Sequence, residues 1–368
     1  MSYTPVMTNS EIQRLRLYNQ RLAGMRLKKP EAVVQWLVAV QAQDYAAAKW
    51  AIAQRTVDVT DAGIDRALAA GTILRTHVLR PTWHFVAPAD IRWMLKLTAP
   101  RVNALNAYYY RKTGLDEAVF KKSNAALTSA LRGGGQLTRV ELASFLQKAR
   151  IIKSTDDPLR LIYIIMRAEL DMVICSGARR GKQFTYALLE ERVPGTAGLN
   201  RTEALVKLVH RFFTSRGPAT VKEFTRWSSL SAADARAGLV MLEGQLTRVV
   251  VDGETYWSGP DMPSMQEPPP RAHLLPAYDE YLLSYKTHGD ATLDLTPEHR
   301  QQVSAGAGQT ILLDGKVVGT WKRSNKKDSI DITPCYFVKL TAAQIRAIAA
   351  AAGRYGKFAE LPASLQNV

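Results

Sequence analysis

Gly135-Gln136-Leu137-Thr138-Arg139-Val140-Glu141-Leu142 is echoed further along the chain by Gly217-Pro218-Ala219-Thr220-Val221-Lys222-Glu223-Phe224. Both stretches set glycine, threonine, glutamate and an apolar residue at the same offsets. Threonine followed three residues later by glutamate is a capping box: the hydroxyl accepts from the N3 amide and the carboxylate reaches back to the cap. Each echo therefore predicts a helix start, and each is followed by the same order of elements. After the first come a helix across Pro158 to Leu170 and a hairpin of Met172 to Cys175 with Gln183 to Leu189, its tip the basic Gly177-Ala178-Arg179-Arg180-Gly181-Lys182. After the second come a helix from Ser231 to Leu242 and a hairpin from Leu246 to Trp257 that turns at Asp252-Gly253.

The same order is readable at the start of the chain. Thr8-Asn9-Ser10-Glu11 is a third capping signal, with Ile12, Leu15, Tyr18 and Leu22 at helical spacing behind it. Pro30 opens a second, nearly all-apolar helix through Val33, Val34, Trp36, Leu37 and Val40. A third runs from Asp61 to Ala70 and ends at Gly71; two β-rich runs, Thr72 to Leu79 and Thr82 to Val86, then join at Arg80-Pro81. Three helix–helix–hairpin units predict an α+β fold of tandem winged-helix modules, divided at residues 1–115, 116–195 and 196–260. The segment Pro260 to Pro270 reads as a linker to a smaller β-rich region, 271–368. In that region Asp314-Gly315 turns one hairpin, a second has Lys322, Arg323, Lys326 and Lys327 near its tip, and a last helix spans Ala342 to Ala352.

Composition narrows the function. The 368 residues carry 49 Lys and Arg against 33 Asp and Glu, a net charge of +16, on a chain that is 46% hydrophobic and so folds rather than staying disordered. A folded basic surface favours a polyanionic partner. Neither a signal segment nor a membrane-spanning stretch is readable, which predicts a cytoplasmic, nucleoid-associated protein. Cys175 and Cys335 lie far apart in apolar runs, away from other ligand residues; two buried thiols are expected, with neither metal nor cofactor implied.

The chemistry-bearing candidates are amides. Gln41-Ala42-Gln43 follows a hydrophobic helix, and residues two apart diverge on a helix but align on an extended strand. Either the helix ends near Gln41 and the chain turns or extends so that the two side chains cooperate, or Gln41, Gln43 and Asp44 cap a helix C-terminus. His77 and His84, flanking Arg80-Pro81, meet DNA or a catalytic water, or are structural. Asp279 and Glu280 steer an imidazole or lysine, or pair with Lys286. Trp83, Trp93 and Tyr108 to Tyr110 stack on bases or fill a core.

Four strings in order, Gln41-Ala42-Gln43-Asp44-Tyr45, His77 to Val86, Leu274 to Lys286 and Asp314 to Trp321, together resemble the winged-helix DNA glycosylases typified by AlkZ and YcaQ over nearly the whole chain. The resemblance implies a C-shaped monomer that removes N7-alkylated purines and unhooks interstrand crosslinks in double-stranded DNA. It implies Gln41 and Gln43 as the catalytic pair, in the Gln-x-Gln form. His77, Arg80, the tip residues Arg179, Arg180 and Lys182, and Lys322, Arg323, Lys326 and Lys327 are the expected DNA contacts. The alternative is a non-enzymatic winged-helix transcriptional regulator, which should dimerise to read two half-sites.

Overall fold

The computed structural model describes residues 7–153, 157–195, 198–260, 271–285, 289–292, 295–304 and 308–366. Most of the expected linker, and Lys286, lie outside the described residues. Helices and strands are mixed along the whole chain, as the α+β class requires. The chain forms two compact units: Met1–Ile64 with Val206–Trp227 and Ser231–Val368, and Asp65–Leu205 with Ser228–Leu230.

The repeated octapeptide has the same structural meaning in both places. Gly135 N–H bonds Leu131 O and Gly217 N–H bonds Phe213 O, so each glycine closes the helix before it. The threonine and glutamate then form reciprocal caps, with Thr138 N–H to Glu141 at 2.7 Å and Thr220 N–H to Glu223 at 2.7 Å. Between glycine and threonine the chain is extended. Leu137–Thr138 adds to a three-stranded sheet beside Thr185–Leu188, which in turn pairs with Ile174–Ser176. Ala219 makes the equivalent bridge to Trp257 of the hairpin Thr247–Val251 and Glu254–Ser258.

The helices Arg139–Lys148 and Pro158–Leu170, and Val221–Ser228 and Ala232–Met241, lie between cap and hairpin in the two copies. At the start of the chain, helix Asp61–Ala70 and Gly71 stand as expected, but the hairpin joint does not. Leu79, at φ 64°, makes the turn, and Arg80 and Pro81 already belong to the strand Arg80–Val86.

The β-rich C-terminal region is a five-stranded sheet in the order Ala363–Leu365, Ile330–Tyr336, Lys316–Asn325, Thr310–Leu313, Ala272–Leu275. Its last helix runs to Ala359, further than expected, because apolar residues on one side outweigh Gly353 and Gly356 within it. Tyr355 and Phe358 from that helix meet Trp50 at ring distances of 5.0 and 5.2 Å. The Trp50 indole N–H donates to Leu274 O and that of Trp321 to Leu275 O, so two large aromatics are buried with their polar atoms satisfied. This packing anchors the helix Tyr45–Ala53, which directly follows the glutamine motif, on the sheet.

Cys175 is buried as expected, but Cys335 is exposed. Ile330, Ile332 and Pro334 take the inward positions of their strand, and the period of two turns Cys335 outward. Helices Pro88–Lys112 and Glu117–Leu131 had no counterpart in the sequence reading; the first carries Pro100 in its interior.

The glycine of the octapeptide is a steric requirement. A Cβ on Gly217 would stand 2.3 Å from Phe213 O and 2.6 Å from Ser258 Cα, both backbone atoms, whereas one on the exposed Gly353 would meet nothing within 4 Å. Gly217→Ala should therefore destabilise by about 1–3 kcal/mol or more, and Gly353→Ala should stabilise by about 0.5–1 kcal/mol. Thermal unfolding of the two variants against wild type should show shifts of opposite sign.

Candidate active site and nucleic-acid interface

Helix Pro30–Leu37 stops because Val38 takes φ 67° and ψ −51°, an uncommon conformation for a β-branched residue. Such outliers cost on the order of 1–3 kcal/mol and persist where neighbours over-determine them. Here the neighbour is Arg216, whose guanidinium donates to Leu37 O at 2.7 Å and Ala39 O at 3.1 Å, the carbonyls on either side of Val38. Ala39–Gln41 then runs as a strand, and Asp44 caps the next helix by accepting from Ala47 N–H at 3.0 Å. The chain extends at Gln41, and Asp44 serves a helix N-terminus rather than a C-terminus.

Gln41 is buried and Gln43 exposed. The Gln41 side-chain oxygen accepts from the backbone N–H of Gln43 at 3.2 Å, while its own backbone N–H donates to Glu280 Oε1 at 2.8 Å. Glu280 Oε2 accepts from Arg216 at 2.6 Å and from the Trp227 indole at 2.9 Å. Both members of the Glu280–Arg216 pair are fully buried. Burial pulls the Arg216 guanidinium below its ordinary value, and the Glu280 charge opposes the shift.

Asp279 binds Arg55 through both oxygens, at 2.9 and 2.7 Å. Arg55 also donates to the backbone and side-chain oxygens of Gln20, whose amide nitrogen reaches Tyr285 at 3.1 Å. Burial pushes the Tyr285 hydroxyl up to about 12 and keeps it a donor, to Arg216 O at 3.0 Å. Asp279 and Glu280 thus each pair with an arginine remote in sequence. Lys49, the first lysine after the motif, is also engaged: its amine lies 2.7 Å from Asp61.

The expected DNA contacts fall in several settings. His77 is buried, with Nδ1 against Glu169 and its ring on Trp83, so it supports its hairpin rather than reaching a phosphate directly. His84 is buried too, bonded to Thr82 O at 2.9 Å, and Arg80 reaches its Nε2 at 3.4 Å. At the tip with Arg179 and Lys182, Arg180 folds back onto the capping box, donating to Glu141 at 2.7 Å and Gln136 O at 2.7 Å. The Thr138 N–H and then Arg180 hold the Glu141 carboxyl down at about 2. Arg179 donates to Lys182 O, and the Lys182 side chain is exposed.

Lys322, Arg323, Lys326 and Lys327 are all exposed, on and beside the turn between Lys316–Asn325 and Ile330–Tyr336. Lys326 pairs with Asp331 at 2.5 Å. Trp93 and Tyr110 are core residues, whereas Tyr108 and Tyr109 are exposed. Among the described residues no group of three or more His, Cys, Asp or Glu is placed to hold a metal ion, and no helix is long and apolar enough to cross a membrane.

The family model for DNA glycosylase AlkZ-like proteins matches residues 34–358, and the chain belongs to that family. It is a DNA glycosylase, a hydrolase of N-glycosyl bonds, and its substrate is DNA. The chain is 27% identical over 323 residues to the interstrand DNA cross-link repair glycosylase of Streptomyces sahachiroi, covering 83% of this chain and 85% of that one. Its fold matches the solved Streptomyces sahachiroi DNA glycosylase AlkZ with a TM-score of 0.81 at 23% identity, over 98% of this chain and 100% of the other.

Removing one member of a buried pair leaves the other charge uncompensated, at a cost of about 3–5 kcal/mol. Glu280→Gln should lower thermal stability by that order. Lys326→Ala, which breaks an exposed pair, should change it by no more than about 1 kcal/mol. Equal small shifts in the two variants would contradict the clamp.

Proposed function

We propose that this chain, as a monomer without cofactor, hydrolyses the N-glycosidic bond of N7-alkylated purines in duplex DNA, including purines joined in interstrand crosslinks. The observation that carries the reading is the Gln41–Gln43 loop: one amide buried and bonded to the backbone of the other, which is exposed. In this reading Gln43 meets the water and the sugar while Gln41 fixes the loop that presents it. The cross-link repair activity named for the Streptomyces relative supports the crosslink substrate. Family membership disfavours the regulator alternative.

The chemistry suits so mild a site. Alkylation at N7 places a positive charge on the purine, so the base leaves with little acid assistance, and what remains is the sugar cation and the attacking water. An amide oxygen accepts from that water and orients it, and the second lone pair faces the developing charge on the deoxyribose. Neutral amides lack the ~10²–10⁴-fold contribution of a true general base, so unmodified purines should be poor substrates. Lys49 is held by Asp61, which fits hydrolysis without a Schiff-base step. A base tied to the opposite strand cannot swing free into a closed pocket, so an open loop is better suited to it than an enclosing one.

The division at 1–115, 116–195, 196–260 and 271–368 is proposed as three winged-helix modules and a DNA-gripping β region. The shared cap, bridge and hairpin of the second and third segments support it. Within this scheme Arg80, Arg179, Arg180 and Lys182 approach phosphate from the modules, with His77 bracing the strand beneath Arg80.

Single-turnover excision from duplex containing N7-methylguanine, read as alkali-labile breaks, tests the site. Gln43→Ala should slow excision by about 10²-fold or more while leaving thermal stability and duplex affinity nearly unchanged. Gln41→Ala should slow it similarly and also lower stability, because it removes the buried amide oxygen that holds the Gln43 backbone N–H. Near-normal excision in the double variant would sink the assignment.

The hairpin is tested by salt. With roughly six to eight phosphates neutralised, log affinity against log salt should slope by about −5 to −7. Replacing Lys322, Arg323, Lys326 and Lys327 by Ser should flatten that slope and weaken damaged and undamaged duplex alike, with the saturated single-turnover rate unchanged. Unchanged affinity would return the hairpin to a solubilising role.

A further inference from the structure

Three arginines converge on one cavity that neither Gln41 nor Gln43 lines. Arg26, Arg271 and Arg354 border a recess of about 430 Å³ whose wall also includes His273, a residue of the strand Ala272–Leu275. His273 is 3% exposed, and its Nε2 has no hydrogen-bond partner among the described residues. A buried polar atom without a partner is uncommon in folded proteins and points to a group that completes it. Arg354 is held in place by donating to Ala272 O at 2.6 Å, and a second recess of about 250 Å³ shares Arg26 and Arg354 and adds Lys357.

The charges there are poorly balanced. Burial, then Arg26 and Arg271, pull the Arg354 guanidinium down to about 10, and burial followed by Arg271 lowers Arg26 against the opposing charge of Asp58. Burial together with Arg354, Arg26, Arg55 and Arg271 keeps His273 well below its ordinary value, hence neutral and able to donate from Nε2. Forked guanidinium donors around a neutral imidazole match a tetrahedral oxyanion carrying several acceptor oxygens.

We propose that Arg26, Arg271, Arg354 and His273 form a phosphate-binding site separate from the glutamine loop. The phosphate is either a phosphodiester of the duplex backbone or a free phosphate group; both present the same oxygens. The site rests on its own geometry and stands whether or not the glutamine assignment holds.

The test uses the full chain and inorganic phosphate, at ionic strength matched with chloride. Phosphate should raise the unfolding temperature saturably and shift the His273 side-chain nitrogen resonance over the same concentration range. Arg271 is exposed, so Arg271→Ser should fold and should weaken phosphate at least tenfold. A response no greater than that to chloride, no shift of the His273 resonance, or equal affinity in Arg271→Ser would overturn the site. The two sources separate by duplex affinity. If the ligand is backbone, saturating phosphate weakens duplex binding several-fold in wild type and not in Arg271→Ser; if it is a free group, duplex affinity is indifferent to phosphate while the thermal response persists.

Discussion

A carboxylate and a guanidinium without access to solvent, Glu280 and Arg216, organise the first unit. Taking such charges out of water costs several kcal/mol per ion unless the remaining hydrogen-bonding capacity is satisfied. Here it is. The five N–H donors of Arg216 reach Ser284 Oγ, Leu37 O, Ser215 Oγ, Ala39 O and Glu280, and Glu280 takes in addition Trp227 and the backbone of Gln41. The bonds to Leu37 and Ala39 determine where the second helix stops, and the bond to Gln41 determines where the glutamine strand lies. A local backbone irregularity at Val38 is thereby maintained by side chains more than a hundred residues away. The Arg55–Asp279 pair lies beside it and joins Gln20 and Tyr285 into the same buried polar core.

Local signals were legible wherever the chemistry is local. The capping boxes at Thr8, Thr138 and Thr220, the Asp252-Gly253 and Asp314-Gly315 turns, and the helix Pro158–Leu170 all stand as the sequence reads them. The octapeptide echo has a physical source, since one short string must end a helix, bridge a hairpin and cap the next helix. What the sequence hides is long-range pairing. Asp279 and Glu280 bind Arg55 and Arg216, more than sixty residues away in the chain, and no local pattern announces those pairs; Lys286 lies outside the described residues. Val38 gave no hint of its dihedral angle, being a good helix-interior residue by pattern. Cys335 read as buried from its apolar neighbours, but on a strand the neighbours face the opposite side.

For the site itself, the Gln-x-Gln spacing requires the helix to end near Gln41 and the chain to turn or extend if both amides are to cooperate; the helix does end before Gln41, the strand Ala39–Gln41 stops at the first glutamine, and Gln43 lies in the bend beyond it. The division of labour between a buried and an exposed glutamine was not readable, because it depends on which side of that strand Glu280 and Arg216 occupy. Arg180 has a local role that its sequence does not announce. A basic hairpin tip reads as free charge, yet its guanidinium closes on the capping box of its own module.

The central claim is that the Glu280–Arg216 pair acts on the reaction through the position of the glutamine loop. A double-mutant cycle of Glu280→Gln and Gln43→Ala tests it directly, using single-turnover excision rates at a temperature where all four proteins are folded by circular dichroism. The account predicts strong non-additivity: Glu280→Gln slows the wild-type enzyme but has little further effect once Gln43 is gone. Two effects that simply multiply would show that Glu280 influences activity independently of Gln43, and would contradict it.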